Sequence, residues 1–271
     1  MTGGDATGVR ATSMSADLSS RHAAVEIDDR GIALVTIREA KSLNILSTPV
    51  IADLTRSVQA LAQYDGVRVL ILRGTGDKGL TGGADINEMA SLTSASAEQF
   101  ISRLRALCDA VRHFPTPVIA RMPGWCLGGG LELVLACDIR IASDDAKLGM
   151  PEVKVGIPSV IHAALLPRLI GHARAAWLLL TGEIFDADES LSAGLVSRVV
   201  PLTDLDVEVA RVADLLAGLG QRVLCQQKRL LREWESEPLE ISIENSVAEF
   251  AHAFATGEPR KLMVAFMNRE G

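Results

Sequence analysis

The order of apolar and glycine-rich segments in the middle of the chain constrains the fold most strongly. Residues 67–72 are nearly all apolar, as in a strand covered on both faces, and the glycine-rich loop 74–83 follows them. A second apolar segment, 118–120, is followed by a short loop and by a helical pattern over 129–137. This repeated order of strand, loop and helix predicts a parallel α/β core.

The flanking sequence predicts further elements from its periodicity and turn residues. The N-terminal side predicts a hairpin of strands 25–27 and 32–37, followed by helix 47–64. Helix 97–113 ends before Pro115, and a further buried strand is predicted at 139–142.

After Pro158 nearly every segment has helical spacing, apart from a short strand at 196–200. The clearest helices are 205–216, 223–234 and 239–255. Because the composition changes near Pro201, we divide the chain into three parts. These are a disordered tail (1–22), an α/β core (23–200) and a helical region (201–271).

Composition narrows the class of protein. The net charge of −7 argues against a nucleic-acid binder, which needs a basic face. No apolar run reaches the ~18 residues of a membrane span, and the N-terminal segment lacks the apolar stretch of a signal peptide. The four cysteines have no C-x-x-C spacing, which indicates reduced thiols and a cytoplasmic protein.

Two glycine-rich segments lie beside carboxylates and suggest chemistry. Gly128-Gly129-Gly130 precedes Glu132, and Gly82-Gly83 precedes Asp85. Glycines let backbone N–H groups approach a ligand closely, and the first N–H groups of a helix have no partner within it. Such groups could stabilise an anion that forms on a carbonyl oxygen. A tight crossover in which glycine only permits close packing explains the triplet equally well.

The sequence lacks the motifs of several other kinds of site. Residues 124–130 do not give the G-x-G-x-x-G fingerprint of dinucleotide binding. Walker A, G-x-S-x-G and H-E-x-x-H patterns are absent from the sequence, which leaves a nucleotide hydrolase, a serine hydrolase and a zinc protease without their minimum parts.

Two glutamates are the candidates for proton transfer. Glu132 lies three residues after Gly129, on the same side of the first helical turn, among apolar residues. Burial there would raise its pKa and suit it to proton transfer, whereas an exposed first-turn acid would only offset the helix dipole. Glu152 follows Pro151, and a lone Pro-Glu pair is typical of a surface turn.

Together these motifs resemble a known family. Residues 124–158 resemble the G-x-x-x-G-G-G-x-E-L, A-C-D-I and P-E-x-x-x-G signature of the crotonase, or enoyl-CoA hydratase/isomerase, superfamily. Residues 41–46 and 81–86 are similar to its K-x-x-N-A-L and A-G-A-D-I segments. The resemblance runs from about Ala24 to the C-terminus.

The resemblance implies a spiral of ββα units followed by a helical trimerisation region, with trimers or dimers of trimers. It implies an acyl-CoA thioester as ligand, no metal, and no cofactor beyond the coenzyme A of the substrate. The backbone N–H groups of Ala84 and Gly129 would form the oxyanion hole, in agreement with the argument from the two glycine-rich segments.

The glutamate pair favours one reaction of this family. Members that hydrate a 2-enoyl-CoA carry acids at the positions of Glu132 and Glu152. Members that isomerise the double bond, hydrolyse the thioester or decarboxylate often keep one of them. The prediction is an enoyl-CoA hydratase, with those reactions as alternatives and an RNA-binding or non-catalytic role as a further one.

The resemblance also implies contacts with the ligand. Lys41 is the candidate for the adenine and phosphates, and Asp85 should cap a helix that begins at Ile86. The other predicted contacts are Leu43, Gly83, Gly128, Pro151, Ser159 and Arg269.

The chain departs from the family pattern in the pocket. Leu80 stands where phenylalanine is common, and Ser159-Val160-Ile161-His162 replaces a segment that is often glycine-rich, which should narrow or reshape the acyl pocket. We expect the backbone N–H of Ser159 to lie near the attacking water and His162 to be structural.

Overall fold

The computed structural model describes residues 18–268, and within this range ten strands form two sheets. The strands of the larger sheet are β1 (Ala23–Ile27), β2 (Ile32–Ile37), β3 (Val69–Gly74), β5 (Val118–Met122), β7 (Ile139–Ser143) and β10 (Arg198–Val200). They lie side by side in that order. β1 pairs antiparallel with β2 and every other pair is parallel, so the predicted hairpin and parallel core are confirmed.

The smaller sheet is built from short strands. They are β4 (Gly79–Thr81), β6 (Trp125–Leu127), β8 (Lys147–Gly149) and β9 (Ile184–Phe185). β4, β6 and β8 are parallel, and β9 is antiparallel to β8. The sequence-based prediction that 74–83 is only a loop was wrong, because residues 79–81 of that segment pair with β6.

Eleven α-helices connect and cover the sheets in the described range. They are α1 (Thr48–Leu61), α2 (Ile86–Met89), α3 (Ser94–Arg112), α4 (Gly129–Leu135), α5 (Leu166–Ile170), α6 (His172–Thr181), α7 (Ala187–Ala193), α8 (Leu205–Ala217), α9 (Gln221–Trp234), α10 (Leu239–Ala255) and α11 (Glu258–Met267). Three 3₁₀ helices join them: Pro151–Val155, Ile161–Leu165 and Leu202–Asp204. The order β1-β2-α1, β3-β4-α2-α3 and β5-β6-α4 confirms the expected spiral of strand–strand–helix units.

Both faces of the larger sheet are covered. Helices α1, α3 and α4 supply buried apolar residues to the main core, among them Leu54, Leu104 and Val134. On the opposite face, Leu205 and Val209 of α8 pack in a second apolar cluster with residues of the larger sheet. α8 therefore belongs to the packing of the core, although it lies beyond the predicted boundary at residue 201.

The N-terminal residues that the structure describes are held against the core. The carbonyl of Leu18 accepts a hydrogen bond from the Ser57 hydroxyl at 2.8 Å, and the amide of His22 donates to Asp53 at 3.1 Å. The rest of the predicted tail, residues 1–17, lies outside the described residues. None of the helices in the described range is long and apolar enough to cross a lipid bilayer.

Candidate active site

The two glycine-rich loops meet at the start of α4. A Cβ atom placed on Gly129 would lie 3.8 Å from the backbone nitrogen of Ala84. A Cβ atom on Gly83 would lie 2.5 Å from the carbonyl oxygen of Leu127, and the φ angle of Gly83 is +93°. Glycine at position 83 is therefore what allows the two backbones to pass this closely.

The backbone N–H groups of Ala84 and Gly129 are the unpaired donors at this crossing. Their neighbours are occupied: the amide of Gly83 donates to Thr81 Oγ1, and that of Asp85 donates to the Leu46 carbonyl. In the part of the chain that the structure describes, no acceptor is found for the amide of Ala84 or of Gly129. Two close unpaired donors can hold one oxyanion.

Glu132 is buried in the first turn of α4. Every residue of this helix is buried, and Glu132 itself is 3% exposed. Its Oε1 accepts a hydrogen bond from the amide of Ala163 at 3.2 Å. Burial, together with the nearby charge of Glu152, raises the pKa of Glu132 to about 8. A carboxyl that titrates near neutral pH can both accept and donate a proton.

Glu152 belongs to the 3₁₀ helix Pro151–Val155, and its side chain lies beside the start of α4. A Cβ atom on Gly128 would lie 2.5 Å from its Oε1, so the carboxylate lies directly beside the glycine that precedes α4. Oε2 accepts a hydrogen bond from the Ser159 hydroxyl at 2.9 Å. Burial raises the pKa of Glu152 as well.

Residues of the segment after Pro158 donate hydrogen bonds to both glutamates. Ser159 contacts Glu152 through its hydroxyl, and the predicted role of its backbone N–H stays a prediction. Ile161 has a φ angle of +35°, which is rare for a β-branched residue and is found where the surroundings impose it. The chain then turns so that the amide of Ala163 faces Glu132.

His162 lies on the far side of this segment. It is buried, and its Nε2 lies 3.4 Å from Oδ1 of Asp109 on α3. Burial lowers the pKa of His162. These contacts agree with the expected structural role.

Some of the residues that are predicted to contact coenzyme A lie close to one another. The ammonium of Lys41 lies 2.5 Å from Oδ2 of Asp85, and Leu43 accepts the amide of Gly82 at 2.7 Å. Asp85 also accepts the amide of Asn87, which confirms its predicted N-cap role, and the Lys41 hydrogen bond holds its pKa below the usual value. Ile86 is exposed beside it. Arg269 lies outside the described residues.

Sequence reasoning missed Ala163 and Thr81. The amide of Ala163 is separated from Glu132 by 31 positions, and no local pattern indicates the contact. Thr81 orients the loop through the amide of Gly83. Among the described residues no group of histidine, cysteine and acidic side chains is arranged to hold a metal ion, and all four cysteines are free thiols.

Comparison with known proteins identifies relatives of this chain. A sequence model of the family described as enoyl-CoA hydratase/isomerase matches residues 28–271. The crotonyl-CoA hydratase of Syntrophomonas wolfei is 33% identical over 239 residues, which is 88% of this chain and 92% of that protein. A probable enoyl-CoA hydratase of Mycobacterium bovis is 35% identical over 250 residues, 90% of this chain and 94% of the relative.

A solved structure of an enoyl-CoA hydratase is also similar to this chain. The crystal structure of an enoyl-CoA hydratase from Bacillus anthracis superposes with a TM-score of 0.88 at 29% identity. The match covers 92% of this chain and 97% of the other. The similarity therefore extends over both sheets and into the C-terminal helices.

Proposed function

The chain belongs to the enoyl-CoA hydratase/isomerase family, and on this premise we propose that it adds water across the 2,3 double bond of a 2-enoyl-CoA thioester, giving a 3-hydroxyacyl-CoA. One observation carries the proposal: the buried carboxyl group of Glu132 and the half-buried one of Glu152 lie beside the loops that carry the two unpaired amides of Ala84 and Gly129. A reaction that passes through an enolate and moves protons at neighbouring carbons needs both features.

In the proposed mechanism the thioester oxygen accepts hydrogen bonds from Ala84 and Gly129. Negative charge grows on that oxygen as water attacks C3, and a donor of this kind contributes about 3 kcal/mol to the stability of the transition state. Glu132 holds the water and removes its proton. Glu152 shares the water and delivers a proton to C2, so that the hydroxyl on C3 and the hydrogen on C2 together account for one water. The two carboxyls act as a coupled pair.

The decisive experiment measures loss of the conjugated thioester absorbance with crotonyl-CoA. Glu132→Gln and Glu152→Gln should each slow hydration by about 10²–10⁴-fold, the usual contribution of general acid–base catalysis. Glu26→Gln is the matched control, because Glu26 is exposed on β1. Full activity in both active-site variants would contradict the assignment.

Product analysis separates hydration from the other reactions of the family. Mass spectrometry of the product of a 2-enoyl-CoA should show the mass of one added water. With a 3-enoyl-CoA, isomerisation leaves the mass unchanged, hydrolysis releases free coenzyme A, and decarboxylation of a suitable acid loses carbon dioxide. We propose that the reaction needs no cofactor or metal, so exhaustive dialysis against a chelator should leave the rate unchanged.

We also propose that the chain forms a homotrimer or a dimer of trimers. The support is a set of apolar side chains that stand exposed on α10 and α11: Leu239, Ile241, Ile243, Val247, Phe250, Phe254, Leu262, Met263, Val264, Phe266 and Met267. An apolar surface this extended is unusual for a monomer. Sedimentation equilibrium should give three or six chains, and Phe250→Glu should lower that number.

A further inference from the structure

A cavity lies at the amino end of β7 in the larger sheet, around Arg140. Arg140 is 8% exposed and lines a cavity of about 280 Å³. Its Nε donates to the Leu195 carbonyl at 2.7 Å and its Nη1 to the Cys137 carbonyl at 2.8 Å. Across residues 18–268 no carboxylate lies within ion-pair distance of Arg140, and its Nη2 donates no hydrogen bond. Burial lowers the pKa of this guanidinium.

The surrounding charges do not balance. Arg112 and Arg232 line the same cavity and share one carboxylate, Glu235. Asp138 is shared by Arg232, at 2.6 Å, and by Lys228, at 2.8 Å. Four largely buried cations, Arg140 included, therefore face two carboxylates.

Two further nitrogen atoms in this cluster are enclosed without a partner. Nη1 of Arg112 and Nε of Arg232 are shielded from solvent and have no hydrogen-bond acceptor among the described residues. Because these two atoms are shielded, an anion in the cavity would not contact them, and the donor left for it is Nη2 of Arg140, which is neither shielded in this way nor hydrogen-bonded among the described residues. A largely buried guanidinium without a carboxylate partner is unfavourable, so the arrangement is expected to hold a negatively charged group.

We propose that this cavity, lined by Arg140, Arg112 and Arg232 and also by the ion-paired carboxylates Asp138 and Glu235, is a binding site for a tetrahedral oxyanion such as inorganic phosphate. The planar guanidinium offers paired N–H donors that match the oxygens of a phosphate. The cavity volume is several times the ~30 Å³ of one water, which leaves room for the anion and some of its hydration. Arg168 is exposed and also lines the cavity, to which it adds positive charge.

This site is distinct from the glutamate site. The glycine loops follow the carboxyl ends of β3 and β5, whereas Arg140 and Asp138 lie at the amino ends of β5 and β7, where Asp138 accepts the amide of Val118. An anion bound here would lie beneath α9. It would be separate from the phosphates of a thioester substrate.

Equilibrium dialysis of the full chain with radiolabelled inorganic phosphate tests the proposal. Excess coenzyme A is present throughout, so that a phosphate site used by a thioester is occupied. The unmodified chain should retain one phosphate per chain. Arg140→Leu should weaken binding about tenfold or more, and Arg168→Gln about threefold, in keeping with a buried and an exposed contact.

Arg103→Gln is the matched control, because Arg103 is an exposed arginine on α3 that does not line the cavity. It should bind phosphate as the unmodified chain does. If Arg140→Leu fails to fold, the comparison of Arg168→Gln with Arg103→Gln decides the matter. Absence of bound phosphate in the unmodified chain, or equal affinity in the folded variants, would overturn the proposal.

Discussion

The carboxylate of Glu152 lies against the backbone of Gly128, where a Cβ atom would come within 2.5 Å of Oε1. Gly128 has φ +52° and ψ −127°, a conformation that side-chain-bearing residues rarely adopt. Position 128 therefore combines two requirements: a sharp turn into α4 and open space for a carboxylate. Both are conditions for Glu152 to lie beside the start of α4.

Gly128→Ala should displace Glu152 and lower kcat about 100-fold. It should also destabilise the fold by about 1–3 kcal/mol through backbone strain. Gly156→Ala separates the two effects, since Gly156 has φ +78° but nothing within 4 Å of the added methyl group. Steady-state kinetics and urea unfolding of both variants provide the measurement. Equal losses of activity in the two would show that strain alone is responsible.

Ser159 should act as a positioning residue for Glu152. Its hydroxyl lowers the pKa of a carboxyl that burial raises. Ser159→Ala should therefore raise that pKa further, move the alkaline limb of the rate–pH profile, which reports the proton donor, to higher pH, and lower kcat about tenfold, since the lost hydrogen bond is to a charged group. Ser102→Ala, an exposed serine on α3, should change neither quantity. An unmoved profile in Ser159→Ala would rule out this role.

The raised pKa of Glu132 predicts how stability depends on pH. The folded value of about 8 exceeds the usual 4.5, so the folded state binds more protons than the unfolded chain between these values. The free energy of unfolding should therefore fall as pH rises from about 4.5 to 8 and then level.

Glu132→Gln removes this penalty and keeps an oxygen that can accept the amide of Ala163. The variant should be more stable than the unmodified chain by a few kcal/mol at pH 9 and by much less at pH 5. Urea unfolding at both pH values measures the difference. Glu26→Gln serves as the exposed control, and a stability gain for Glu132→Gln that does not depend on pH would contradict the raised pKa.

The sequence predicted the elements whose signal is local. Helix α10 begins and ends at the predicted residues, 239 and 255, and β1 and β2 form the predicted hairpin. The smaller sheet was missed because strands such as β4 and β6 have three residues each, too few for a period of two to appear. Their existence depends on pairing between segments more than 40 residues apart.

The same contrast between local and long-range features applies to the predictions of the site. The place of Gly129 at a predicted helix start made its amide a candidate donor, since the start of a helix is a local property. Ala84 was predicted from the family resemblance. The contacts that fix the glutamates depend on the path of the chain after Pro158. Nothing in the sequence indicates that Ile161 adopts a positive φ angle or that Ala163 then faces Glu132.

Lys41 gives the last prediction, because its ammonium is bound to Asp85 while its side chain stays 58% exposed. An exposed cation beside the proposed thioester site is free to contact a phosphate as well, and an exposed contact of this kind contributes up to about 1 kcal/mol. Lys41→Met should therefore raise the KM of a coenzyme A thioester several-fold and leave kcat unchanged. The N-acetylcysteamine thioester of the same acyl group, which has no phosphates, should react equally well with both proteins. Lys78→Met, an exposed lysine on the β3–β4 loop, is the control. If the KM of both thioesters rises equally in Lys41→Met, the lysine acts by holding the loop through Asp85 rather than by binding phosphate.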